Sequence, residues 1–229
     1  MMKSNKWKLL VSYLITLLPI PIGLILWEYL PRQTLHRSQL LAVFAPPIIA
    51  LITHWICAAA AIADPKNKDQ SKKAMGLTFW TCPFISLFTS AVIYSTVFGL
   101  DFTMIKLLIM IPEGIMFIAL GNYLPKCKQN STLGIKVKWA LENEKNWNAT
   151  HRFGGKLWFI GGLMILISAL LPNAVALNAM IIFILLLAFI PMGYSYVYYR
   201  KQLKSGTTDE DTSEKKSLSV KKLNCCWQH

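Results

Sequence analysis

Charge is what this sequence has least of. Only 15% of its 229 residues are Asp, Glu, Lys or Arg, with 11 acids against 24 basic residues, where a soluble domain carries about 25% charged residues. A water-soluble enzyme does not fit that composition. Cysteine is also sparse, five residues with no C-x-x-C pair, so no disulfide framework is indicated. Missing too are a nucleophile–base–orienter set, a phosphate-cradling glycine loop and an H-E-x-x-H pair. Neither an enzyme nor a resident cofactor or metal is therefore expected.

Long apolar runs are present instead, and 54% of the chain is hydrophobic. A hydrocarbon core of about 30 Å takes about 20 apolar residues to cross as a helix. Six stretches approach that length: Leu9–Leu30, Leu40–Ala63, Gly76–Phe98, Phe102–Leu124, Lys156–Leu171 and Leu177–Tyr198. The fifth is the shortest. The first follows Lys3, Lys6 and Lys8 but has no small-x-small cleavage pattern, so it reads as an uncleaved span. The expected fold is an all-α membrane protein, a polytopic bundle of about six transmembrane helices with a short structured cytoplasmic lid. Its expected parts are a four-span unit (1–124), the lid (125–155), a two-span hairpin (156–204) and a flexible tail (205–229).

Basic residues set the expected orientation, since loops rich in Lys and Arg stay on the cytoplasmic side. The 64–75 loop carries Lys66, Lys68, Lys72 and Lys73, the 125–156 segment carries seven basic residues, and Arg200, Lys201 and Lys204 follow the last span. The 31–39 loop has only Arg32 and Arg37, and the turns at 99–101 and 172–176 have none. Both termini are thus expected in the cytoplasm. A net charge of +13 then reads as topology and attraction to membrane lipids, not as direct nucleic-acid binding.

The segment 125–155 is the one long connection, and its pattern argues against disorder. Ile135, Val137, Trp139 and Leu141 alternate with Lys136, Lys138 and Glu142, as in an extended segment with one covered face. Asn143 is placed to cap a helix with Glu144 in its first turn, and Trp147, Thr150, His151 and Gly154 recur at helical spacing.

These residues carry a resemblance. Gly121-Asn122-Tyr123-Leu124-Pro125-Lys126, then Asn130, Gly134-Ile135-Lys136, Trp139, Leu141, Trp147 and Thr150-His151-Arg152-Phe153-Gly154-Gly155 resemble the signature of the SdpI family of bacterial membrane proteins. Leu26-Trp27-Glu28-Tyr29-Leu30-Pro31 is similar to the end of the first span in the four-span domain that often precedes it. The chain departs from the family pattern at Lys136-Val137-Lys138-Trp139-Ala140, where Arg-Thr-Pro-Trp-Thr is usual; Lys lacks the planar fork of Arg. The resemblance implies a role in immunity to a secreted peptide toxin, with signalling through a cytosolic transcriptional repressor. It also points to Asn130, Gly134, Lys136, Trp139, Trp147, His151 and Arg152 as partner-binding or signalling residues.

Several residues admit two readings. Glu113, between Pro112 and Gly114 at mid-span, is either a protonated group hydrogen-bonded inside the bundle or part of a polar site with His54. Lys106, seven residues earlier, is expected to reach the outer surface. His54 and Cys57 share a face but lack a third metal ligand. Trp139 and Trp147 either meet a partner or anchor at the lipid headgroups. His151, Arg152 and Lys156 either bind phosphate or an acidic partner, or act only as topological anchors. Cys225-Cys226-Trp227-Gln228-His229 reads as exposed tail, or as a site of modification or metal binding. The alternative function is a small proton-coupled transporter using Glu113 and His54, with Pro46-Pro47 and Pro112 as helix interruptions.

Overall fold

The computed structural model of the chain describes residues 2–29, 37–70 and 72–226. The 31–36 connection with Arg32, and Trp227–His229, lie outside them. Every regular element among the described residues is helical. Helix α1 (Met2–Leu17) and helix α2 (Pro19–Trp27) form one span bent at Leu18, where Pro19 and Pro21 remove two backbone donors. Helix α3 (Arg37–Ala63) leads through a short 3-10 turn (Pro65–Asp69) to α4 (Lys72–Val97). Helix α5 (Phe102–Tyr123) ends in a second 3-10 turn (Leu124–Lys126). The lid follows, with a single turn of helix α6 (Lys138–Leu141), then α7 (Glu144–Ser168) and α8 (Asn173–Cys226).

Burial is inverted relative to a soluble protein. Ser12, Thr16, His54, Ser86, Asn146, Thr150, Ser168 and Ser195 are buried, whereas Ile49, Trp55, Leu170 and Phe189 are more than half exposed. Such a surface suits hydrocarbon, and the small polar side chains inside bond between helices. Ser86 Oγ donates to the Thr16 carbonyl (2.9 Å) and Tyr94 OH to that of Pro19 (2.6 Å). Both hydroxyls supply donors to carbonyls around the proline bend.

Five stretches are long and apolar enough to cross a membrane: Trp7–Trp27, Val43–Ala63, Phe79–Val97, Phe102–Lys126 and Asn173–Ser205. The expected span Lys156–Leu171 is not one of them, because α7 spends its first turns on Glu144, Lys145, Asn146, His151 and Arg152. It nonetheless packs along the spans α5 and α8. Two glycine pairs set its contact with α5. A Cβ on Gly121 would stand 2.7 Å from the Gly155 carbonyl, and one on Gly162 would stand 2.6 Å from that of Gly114. Only glycine permits so close an approach. With α7 the bundle has about six membrane helices.

Two other elements differ from expectation. The alternating stretch 135–141 is extended only to Val137; Lys138–Leu141 then closes a helical turn, with Ala140 N–H donating to the Val137 carbonyl (3.0 Å). The stretch from Ser205 continues α8 to Cys226 instead of forming an irregular leash. No proline interrupts it, and each added residue gains a backbone bond.

Candidate functional site: a folded lid over one end of the bundle

The lid is built from side chains that close backbone turns. Asn130 is buried; its Oδ1 accepts from Thr132 N (2.8 Å), Thr132 Oγ1 (3.0 Å) and Leu133 N (2.6 Å), and its Nδ2 donates to the Lys128 carbonyl (2.7 Å). One amide thereby fixes the whole 128–133 turn. Gly134 follows at φ +100°, with His151 so close that a Cβ could not be accommodated. Positive φ and close approach both require glycine here.

His151 and Trp147 sit one turn apart on α7, where Asn143 Oδ1 caps the helix by accepting from Asn146 N (2.9 Å). Their rings stack with centroids 3.9 Å apart. Trp147 is fully buried and its Nε1 donates to the Cys127 carbonyl (2.9 Å). His151 Nε2 accepts from Ile135 N–H (3.0 Å), and its Nδ1 lies 2.8 Å from the Trp147 carbonyl. A backbone N–H can only donate and a carbonyl only accept, so the proton is on Nδ1. Burial pushes this imidazole down to about 4, which keeps it neutral at physiological pH.

A second polar knot joins the lid to α8. Asn146 is buried; its Oδ1 accepts from Thr150 Oγ1 (2.9 Å) and Ser195 Oγ (2.9 Å), and its Nδ2 donates to the Ser195 carbonyl (3.1 Å). Trp139 lies against the Tyr196 ring at 5.4 Å and that of Tyr199 at 6.4 Å. Its Nε1 is buried with no acceptor among the described residues. Gln129 Nε2 donates to the carbonyls of Ala140 (3.0 Å) and Leu141 (2.9 Å), closing α6 onto the loop.

The third attachment comes from the α3–α4 connection. Gln70 and Lys128 exchange two bonds, Nε2 to carbonyl at 2.5 Å and N–H to Oε1 at 3.1 Å. Asn67 Nδ2 donates to Thr132 Oγ1 (2.6 Å). Asp64 Oδ2 accepts from Ser131 Oγ (2.7 Å) and Ser131 N (3.0 Å), and these bonds hold its carboxyl below the usual carboxylate range. The two basic loops therefore occupy the same end of the bundle. At the other end Lys106 Nζ donates to the Leu171 carbonyl (2.9 Å). The ammonium is buried and caps the end of α7 instead of lying free at the surface.

Of the seven lid residues singled out from the sequence, Asn130, Trp147 and His151 are buried, the exposed Gly134 lies against the His151 ring, and Trp139 packs on α8. Lys136 and Arg152 point outward and are exposed. The Trp147 ring is enclosed and its N–H is engaged, so in this closed arrangement it is not exposed at the lipid headgroups. Asp64, Asn67, Gln70, Gln129, Asn146 and Ser195 do as much as the motif residues. Only Asn143, as a cap, gave a sequence signal nearby. The pairing of His54 with Glu113 is not formed; His54 Nε2 meets Ser12 Oγ at 2.8 Å, and its ring abuts Tyr13. Among the described residues no group of three His, Cys, Asp or Glu side chains could hold a metal.

These features define a class: an all-helical membrane protein whose long interhelical loop is folded and locked to three other elements. Residues 126–198, which build most of the lid, α6, α7 and the membrane part of α8, match the SdpI/YfhL protein family. Over 213 residues the chain is 26% identical to "Immunity protein SdpI" of Bacillus subtilis (strain 168), a match covering 87% of this chain and 98% of that protein. The likeness to the SdpI family of membrane proteins is thus a finding, and it extends beyond the family segment into the spans before it. No solved structure matches the chain.

Proposed function

We propose that this chain is a membrane immunity protein that protects its cell against a membrane-active peptide toxin. The observation that carries the reading is the similarity to an immunity protein over 87% of the chain, reaching both the lid and helices it is locked to. The Lys-rich end with the lid is taken as cytoplasmic, following the distribution of basic residues. The toxin would meet the opposite end, and the lid would report occupancy to a cytosolic partner, for which a transcriptional repressor is the candidate. A report of that kind requires the toxin to favour one of two bundle states. The lid has the means for two states, since three sets of hydrogen bonds hold it and Trp139 has an unused donor. The exposed Lys136 and Arg152 are the residues placed to touch a partner in the closed state, whereas Trp147 and His151 would become available only on release. No enzymatic step belongs to this role.

Cells with and without the gene, challenged with the candidate peptide, test the proposal. Survival should depend on the gene, and equal killing of both strains would refute it. Asn146→Ala, which removes the knot to α8, should uncouple partner recruitment from toxin while leaving the protein in the membrane.

A further inference from the structure

An apolar crevice of about 430 Å³ opens on the side of the bundle between α1, α4 and α5, lined by Ile15, Trp80, Phe84, Leu87, Met116 and Leu120 among others. It is open laterally, since Trp80 is 41% and Ile115 51% exposed. It lies in the half of the bundle nearer the lid. Ile15 follows Lys8 by seven residues, and Ala119, also in the wall, precedes Lys126 by seven. Seven residues are about two helical turns and about 10 Å, so Lys8 on α1 and Lys126, in the turn that ends α5, stand at register positions just beyond the mouth at the basic end. Lys126 is exposed, its Nζ 5.0 Å from the Tyr123 ring centroid, and Lys8 is half-buried.

From this arrangement we infer that the crevice holds one acyl chain of an anionic phospholipid, with the phosphate received by Lys8 and Lys126. The apolar lining selects that occupant. A non-helical peptide would find almost no polar partner for its backbone in these walls. A hydrocarbon chain needs none, and the lysines supply the preference for negative charge. The site is separate from the lid and does not depend on the immunity reading.

Purified full-length protein in detergent, titrated with phosphatidylglycerol or phosphatidylcholine brominated on the acyl chain, tests this through tryptophan quenching. The part lost in Trp80→Phe reports the crevice. Phosphatidylglycerol should quench that part saturably, at several-fold lower concentration than phosphatidylcholine. Lys8→Gln with Lys126→Gln should remove most of that preference, at about fivefold per lysine, at unchanged helicity. Ala119→Phe should abolish the saturable quenching at unchanged helicity. Equal affinity for the two lipids overturns the inference, as does full competition by glycerol 3-phosphate alone. Loss of toxin protection in Ala119→Phe with lipid quenching unchanged would give the crevice to the peptide and equally refute it.

Discussion

His151 has no ring nitrogen left over. Burial, which desolvates the cation, holds the group at about 4, and protonation at Nε2 also requires the bond from Ile135 N–H to break. A histidine held neutral contributes stability that is full above its unfolded value near 6.5 and is lost as pH falls from there toward 4. The closed lid should therefore loosen in acid by up to about 1.4 kcal/mol per pH unit across that window. Hydrogen exchange of the Ile135 amide between pH 7 and 5, corrected for intrinsic rate, measures it, and His151→Gln should flatten the dependence. Gly134→Ala places a methyl at positive φ against the same ring and should destabilise the lid by more than about 1–2 kcal/mol, read as faster proteolysis at 126–137. Gly134 and His151 were visible in the sequence as motif members. Their contact was not, because 17 residues separate them and nothing in the pattern announces a ring over a glycine.

The helices were legible as elements where they are uniformly apolar, as α3 and α5 are. In the sequence, helix α7 looks like a short capped helix and a separate short span, since its charged start and glycine-rich middle mask one continuous rod of 25 residues. Its glycines explain how so weakly apolar a helix stays in the bundle: backbone contact with α5 replaces side-chain burial, with Gly121 facing Gly155 and Gly114 facing Gly162. Gly121→Leu should push α5 and α7 apart and sharply lower the yield of folded protein. Gly193→Ala, in α8 with nothing near its Cβ, should be neutral or stabilising by up to about 1 kcal/mol. Thermal unfolding in detergent, monitored by circular dichroism, compares the two. Equal effects would mean that helix propensity, not proximity, governs these positions.

Across the whole molecule, polarity and exposure together confirm a membrane fold that composition alone had indicated. What composition could not give was the joining of residues 64–70 to 128–132, because Asp64, Asn67 and Gln70 look like an ordinary hydrophilic turn. Removing that joint with Asp64→Asn and Gln70→Ala should raise amide exchange at 128–133 by roughly tenfold or more, at about 1 kcal/mol per lost bond, while the membrane helices exchange as before. The same joint has a consequence for covalent continuity. The link between α4 and α5 is only the turn at 98–101, at the opposite end from these bonds. A chain cut there and made as two polypeptides, 1–98 and 101–229, should reassemble and co-purify, and the Asp64→Asn, Gln70→Ala pair should make the fragments part company.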